Sequence, residues 1–356
     1  MLALLSAIAT GCADLRYLAH VAHGQLQLAS QRRSLDEVIA SPTTDAALAA
    51  RLSVAKRARE FAVRRLGLPD NRSYTYYVDL HRPYVVWNVF ATPRYSIAPV
   101  LHCFPIAGCV PYRGYFDESL ANAEGARLQA QDDDVFVGGV AAYSTLGWFA
   151  DPILSSMLRW DDDELIGTIF HELAHQLIYV KDDSAFNESF ASFVQQQGLR
   201  EWLQASGQPL QNESDDALQD GFVHLVLDLR ERLRQLYATG IATSEMEAAK
   251  QRAFEDFRQR YQQWRKAQPP DHQEAANRSR DAFVAAPLNN AQLLPFGLYD
   301  RWTPAFASLF ARSQSRWADF YTRVRALAKE SKHERERSLD ALLPIDAPNP
   351  PQDKSM

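Results

Sequence analysis

The sequence has few cysteines, no excess of positive charge and no apolar run long enough to cross a membrane. Its 356 residues include three cysteines, and the formal net charge at pH 7 is −6. This charge, without any basic stripe interleaved with aromatic residues, argues against nucleic acid as a partner. The apolar N-terminal stretch, residues 1–12, is far too short to span a bilayer. No internal repeat is evident.

A metal-binding pattern stands near the middle of the chain. His171, Glu172 and His175 form a His-Glu-x-x-His motif. In an α-helix, residues i and i+4 lie on the same face, so both imidazoles can bind one Zn²⁺. Glu172 then lies at the flank of the pair, where a carboxylate can act as general base on a water molecule. Apolar pairs that recur every four residues from Leu165 to Ile178 predict the required helix.

Catalytic zinc usually has three protein ligands and one open position. A second helix is predicted after a polar break at residues 181–184, and Glu188 lies in its first turns. An antiparallel return of this helix would bring the Glu188 carboxylate to the two histidines. Asp182 and Asp183 are closer in sequence and are the alternative ligands, although they fall in the predicted turn.

Strand patterns occur before the metal helix. Alternation from Tyr74 to Leu80 and the β-branched, aromatic segment at 84–90 predict two strands, with residues 81–83 as a hairpin loop. The segment 134–140 predicts another strand. Its Gly138 and Gly139 would allow an extended peptide substrate to approach closely, or else they mark a bulge.

Several side chains are candidates for contacting a substrate or stabilising an oxyanion. Tyr112, Arg113 and Tyr115 could supply hydrogen bonds or positive charge. The alternative for these three is an aromatic core with a surface arginine. Tyr143 and Tyr299 are further candidates.

The N-terminus resembles the end of a bacterial lipoprotein signal. Residues 9–12, Ala-Thr-Gly-Cys, match the lipobox, which would make Cys12 the lipidated residue. The alternative is an N-terminal core helix with a buried free cysteine. Cys103 and Cys109 bracket a turn-prone segment, and in an exported protein they would close a small disulfide loop. A pair of reduced, buried thiols is the other possibility.

Longer segments indicate a family. Asn187-Glu188-x-x-Ala191 is similar to the segment that supplies the glutamate in gluzincin metallopeptidases. Together with Tyr-x₆-Gly-Gln-Leu at 17–26, CFPIAGCVPYRGYF at 103–116 and AYSTLGWF at 142–149, it resembles the bacterial putative aminopeptidase family. The resemblance runs from about residue 11 to about residue 330. It implies a zinc-dependent peptidase in which His171, His175 and Glu188 bind one Zn²⁺ and Glu172 is the catalytic base.

The expected fold is α+β and mostly helical. A small antiparallel or mixed sheet would lie beside the two zinc-binding helices, followed by a long helical hairpin at about 216–268. The expected organisation is a signal at 1–12, one zincin-like domain at 13–335, and a disordered tail at 336–356.

The expected function is hydrolysis of peptides in the bacterial envelope by a lipoprotein anchored through Cys12. No Gly-x-Met-Glu-Asn segment is present, so the sequence supports a peptidase better than specifically an aminopeptidase. The alternatives are a zinc-binding envelope lipoprotein that acts in assembly without turnover, and a structural lipoprotein whose helical hairpin binds a partner.

Overall fold

The structure covers most of the chain. It is a computed structural model that describes residues 2–104, 108–208, 213–268, 277–296 and 301–344. For residues 2–14, 104 and 213–220 it describes the backbone alone. The predictions for Tyr299 and for the tail beyond residue 344 lie outside the described residues.

The fold is mostly helical α+β, as predicted. The helices are α1 (Leu2–Ser30), α2 (Leu35–Ala40), α3 (Ala46–Arg64), α4 (Glu118–Gln129), α5 (Asp162–Leu177), α6 (Ser184–Ser206), α7 (Glu213–Tyr237), α8 (Thr243–Lys266), α9 (Arg278–Ala285), α10 (Thr303–Arg312), α11 (Trp317–Ala328) and α12 (Lys332–Asp340). The strands are β1 (Arg33–Ser34), β2 (Tyr76–Val78), β3 (Val86–Pro93), β4 (His102–Phe104), β5 (Gly108–Val110), β6 (Tyr112–Tyr115), β7 (Asp133–Val140) and β8 (Ile153–Leu154). Among the helices described, none is both long and apolar enough to cross a membrane.

The strands form three small sheets. One has the order β1-β2-β8, a second has the order β6-β3-β7, and β4 pairs with β5. The predicted hairpin at residues 81–83 is therefore wrong, because β2 and β3 belong to different sheets. In the second sheet β3 is central and antiparallel to both neighbours. Cys103 and Cys109 lie opposite each other on β4 and β5 and form the predicted disulfide.

Helices α5 and α6 form the centre of the main hydrophobic core. The Asp161 side chain caps α5 by accepting a hydrogen bond from the backbone N–H of Glu164 at 2.8 Å. The apolar pairs of α5 are buried, and Phe186 and Phe190 of α6 join the same core. Both helices are therefore held by burial on the face that they share.

The described helices that follow α6 divide between this core and a second one. Helices α7 and α8 form the predicted hairpin, with an apolar cluster of its own that includes Phe222, Leu229 and Phe257. The expectation that the tail begins at residue 336 is wrong. Helix α12 continues to Asp340 and buries Leu339 completely in the main core.

Helix α1 runs without a break from Leu2 to Ser30. Cys12 thus lies within a helical backbone, in the stretch for which side chains are not described. Both interpretations of Cys12, the lipidated residue and the buried free cysteine, stay predictions.

Candidate metal centre

Three side chains from α5 and α6 converge. The Nε2 atoms of His171 and His175 are 3.1 Å apart, and Oε2 of Glu188 lies 3.2 Å from the first and 3.5 Å from the second. All three side chains are largely buried. Within the part of the chain that the structure describes, this is the group of histidine, cysteine, aspartate and glutamate side chains whose spacing suits a metal ion.

The turn between the two helices explains how Glu188, which follows His175 by only 13 residues, reaches the histidines. Asn187 is buried, and its side-chain oxygen accepts a hydrogen bond from the backbone N–H of Val180 at 2.8 Å. Its amide nitrogen donates to the carbonyl of Val180 at 2.7 Å. These two bonds tie the end of the turn to the first turn of α6, so that the next residue, Glu188, faces α5.

The charges of these side chains shift the pKa values of their neighbours. Burial alone would raise the pKa of Glu188, but the neighbouring imidazoles of His175 and His171 outweigh it and lower that pKa to about 2. For His171, burial acts to lower the pKa, whereas the hydrogen bond to Glu188 and the charge of Glu172 raise it by more. The carboxylate of Glu188 is therefore ionised, as a metal ligand must be.

The geometry and chemistry of these residues fit zinc. Tetrahedral nitrogen and oxygen ligands about 2.0–2.1 Å from a zinc ion lie roughly 3.3 Å from one another, close to the three separations observed. In addition, Nδ1 of His171 and of His175 is buried without a hydrogen-bond partner. The two rings thus have their Nε2 atoms, and not their Nδ1 atoms, directed at the common point.

Three further acidic residues, Glu172, Asp182 and Asp183, differ from one another in their interactions. Glu172 does not join the converging group. Burial raises the pKa of the phenols of Tyr74 and Tyr112, and the charge of Glu172 adds to both shifts. Asp182 accepts a hydrogen bond from the backbone N–H of Cys109 at 2.8 Å. Asp183 caps α6 and forms an ion pair with Arg335. The alternative ligands Asp182 and Asp183 are therefore committed elsewhere.

Tyr112 is the residue of β6 whose phenol interacts with the charges of Glu188 and Glu172. Burial, followed by the charges of Glu188 and Glu172, raises the pKa of its phenol. Its ring packs on Phe90 at 5.4 Å between centroids, and Phe90 in turn packs on Phe136. Tyr112 therefore shares a face of the β6-β3-β7 sheet with Phe90 and Phe136, and its phenol responds to the charges of both glutamates.

One comparison with known proteins gives a match. A family model described as "Putative aminopeptidase" matches residues 16–339. The chain belongs to that family. The description indicates a hydrolase that acts on peptides. Neither the comparison with curated proteins nor that with solved structures gives a match.

Two of the predicted substrate residues of this aminopeptidase-family protein lie on the wrong side of the sheet. Arg113 and Tyr115 alternate with Tyr112, so they occupy the opposite face. There the Arg113 guanidinium stacks 3.9 Å from the ring centroid of Tyr17, and Tyr115 packs edge-on against the same ring. Both belong to the packing between α1 and the sheet, and their predicted oxyanion role is wrong.

Gly138 and Gly139 of β7 also lie on opposite faces of the sheet. Strand β7 is an edge strand, and its register with β3 is regular from end to end, so no bulge is present. A Cβ at Gly139 would overlap the ring of Tyr84, with a nearest approach of 2.2 Å. Internal packing therefore explains Gly139. Gly138 shares the face of Phe90 and Tyr112, and its contact with substrate stays a prediction.

Tyr143 and three residues without a predicted role complete the surroundings. Tyr143 lies near Tyr112 and packs edge-on against Phe116. The ring of Tyr179 is 6.4 Å from that of His175, which its position four residues further along could have indicated. Asp151 is buried, and burial raises its pKa to about 6, with Glu172 acting in the same direction. Tyr74 has a φ of 60°, which no local sequence pattern predicts.

Proposed function

We propose that this protein is a zinc-dependent peptidase of the gluzincin type that releases amino-terminal residues from peptides. The observation that carries the proposal is the convergence of His171, His175 and Glu188, whose ligand atoms all lie within 4.8 Å of one another. The family description adds the substrate class. The three residues would hold one Zn²⁺.

The chemistry divides between the metal and the chain. When bound, zinc would polarise the scissile carbonyl and lower the pKa of a water molecule to about 7. Glu172 takes one proton from the attacking water, and the water oxygen forms a bond to the carbonyl carbon. As the carbon–nitrogen bond breaks, Glu172 returns that proton to the leaving amine. The hydrolysis thus consumes one water and needs no other reactant.

Tyr112 is our candidate for stabilising the negative charge that develops on the carbonyl oxygen. Its phenol is protonated at neutral pH, as for any tyrosine with an ordinary or raised pKa, so it can donate a hydrogen bond. Among the tyrosines near the metal residues, it is the one whose phenol is influenced by both Glu172 and Glu188.

We also propose that the protein acts in the bacterial envelope, anchored to a membrane through a lipid on Cys12. Support comes from the lipobox-like residues 9–12 and from the disulfide between Cys103 and Cys109. Structural disulfides form in oxidising compartments such as the periplasm. Mass spectrometry of the protein from a membrane fraction tests this, with a diacylglycerol-modified Cys12 as the expected product.

A comparison of three proteins tests the proposed activity. Wild type, Glu172→Gln and His171→Ala are incubated with a peptide library, and products are identified by mass spectrometry. We expect wild type to release amino-terminal residues, and Glu172→Gln to retain zinc while turnover falls by at least about a hundredfold. His171→Ala should lose both. Zinc binding without hydrolysis by wild type would favour the non-catalytic lipoprotein instead.

A further inference from the structure

The loop after β7 exposes two aromatic side chains. Trp148 is 66% exposed and Phe149 is 53% exposed. Elsewhere in the described ranges, aromatic side chains are buried or partly buried. Two adjacent exposed rings form an apolar patch on the surface of a protein that otherwise buries its aromatic side chains. Such a patch indicates a site that binds another molecule.

Hydrogen bonds and the backbone conformation hold the loop in a shape that leaves both rings exposed. The side chain of Thr145 donates a hydrogen bond to Asp151 at 2.8 Å and accepts one from the backbone N–H of Phe149 at 3.0 Å. Leu146 and Gly147 both have positive φ, at 54° and 80°. For a leucine this conformation is unfavourable and persists only where the surroundings impose it. Hydrogen bonds to Thr145 and Asp151, and not burial of the rings, therefore fix the shape of the loop.

Contacts at the base of the loop locate it beside the metal residues. Gln176, which follows His175, lies against Gly147, where an added Cβ would be 3.3 Å from its side chain. Its amide also donates a hydrogen bond to Asp151 at 3.4 Å.

Electrostatic interactions also link both ends of the loop to the candidate site. At its start, Tyr143 is near Tyr112, which is itself near Glu172 and Glu188. At its end, Asp151 is near Glu172. Together with the contacts of Gln176, the neighbour of His175, these interactions indicate that the loop lies beside the candidate site.

We propose that Trp148 and Phe149 form an apolar subsite that receives a bulky apolar side chain of the peptide substrate, next to the bond that is cut. This inference rests on the proposed peptidase function and names its substrate class. Flat aromatic rings offer a large contact area with little loss of side-chain freedom. The attachment of the loop to α5 favours a substrate over a membrane or a second copy of the chain, because neither of these would need that attachment.

The test compares selectivity in wild type and in the double variant Trp148→Ser, Phe149→Ser. For peptides with leucine or phenylalanine beside the scissile bond, kcat/KM should fall at least about tenfold, while alanine peptides should change little. Zinc content and Tm should stay as in wild type. The matched control is Ile241→Ser, an exposed apolar residue in the turn between α7 and α8, which should leave selectivity unchanged.

The outcomes separate the two proposals. If wild type cleaves no peptide in the library, the proposed function fails. If wild type cleaves leucine and alanine peptides equally well, or if the double variant loses activity equally on both, the subsite is overturned while the peptidase stands. Unchanged selectivity together with altered sedimentation, or with loss of binding to phospholipid vesicles, would also overturn it, because the rings would then serve self-association or a membrane.

Discussion

Tyr112 and Tyr115 are three residues apart on β6, yet they contact different parts of the molecule. Tyr112 packs on Phe90 and lies near Glu172 and Glu188, whereas Tyr115 packs on Tyr17 of α1. The pair therefore provides an internal comparison of a phenol at the metal centre with a phenol in the core. Both tyrosines lose the same atom when they are changed to phenylalanine.

We predict that Tyr112→Phe lowers kcat by about a hundredfold, because it removes a hydrogen bond made in the transition state. KM and zinc content should change little, since the ring remains in place. Steady-state kinetics on one peptide substrate measures both constants. Tyr115→Phe is the control and should retain nearly full kcat; equal losses in the two variants would argue against the role of Tyr112.

The sequence alone predicts where the two histidines lie, but it does not predict which tyrosine lies near them. His171 and His175 are fixed on one face by helical spacing alone, so their convergence follows from the motif. The choice between Tyr112 and Arg113 depends on which face of the sheet packs against α1, and alternation along a strand does not reveal that. Arg113 and Tyr115 were therefore plausible by residue type and wrong by position.

The connection between α5 and α6 determines the position of Glu188, the third proposed ligand. Asn187 bonds to both backbone polar groups of Val180, and the next residue is Glu188. We predict that Asn187→Ala lowers the free energy of unfolding by about 1–3 kcal/mol, because it leaves partly buried backbone groups without partners. It should also weaken zinc affinity. Urea unfolding and competition with a chelator measure the two effects.

Gln196 supplies the matched control, because it is exposed on the same helix. Gln196→Ala should change neither the unfolding free energy nor zinc affinity appreciably. An Asn187→Ala protein with the stability and zinc affinity of wild type would show that the turn does not position Glu188.

Sequence patterns predicted the helices correctly, because helical periodicity is local. They did not predict which strands pair, because the paired strands are distant in sequence. The helical periods of α5, α6, α7 and α8 are contained in their own sequences. Strand β2 instead pairs in parallel with β8, whose residues follow it by more than seventy positions. Alternation identifies a strand and its faces but not its partner, so neighbouring strands were wrongly joined as a hairpin.

Across the whole molecule, the C-terminal helix α12 is tied to the metal region through a buried ion pair. A guanidinium nitrogen of Arg335 lies 2.7 Å from a carboxylate oxygen of Asp183, and both side chains are almost inaccessible to water. Asp183 also caps α6, the helix that carries Glu188. The pair therefore links α12 to the helix that carries Glu188, the third proposed ligand.

We predict that Arg335→Met lowers the free energy of unfolding by about 3–5 kcal/mol, because it leaves the Asp183 carboxylate buried without its partner. Thermal unfolding followed by circular dichroism measures the change. Arg337 is exposed on the same helix and provides the control, since Arg337→Met should unfold close to wild type. Similar Tm values for the two variants would contradict the role of the buried pair.

The sequence does not reveal that the domain extends through α12, for a physical reason. Helix α12 is highly charged, and its buried residues are Arg335 and Leu339. A segment with so little apolar content resembles a solvated tail when its burial is unknown. Its place in the fold depends on Asp183, which is 152 residues away in sequence.

The most direct test of the account is the zinc content of the purified protein. Elemental analysis after dialysis should give about one zinc per chain for wild type and for Glu172→Gln, as expected for a site with three protein ligands. His171→Ala and His175→Ala should contain almost none. Wild type that stays free of zinc after incubation with the metal, or a His171→Ala protein that keeps a full equivalent, would contradict the proposed metal centre.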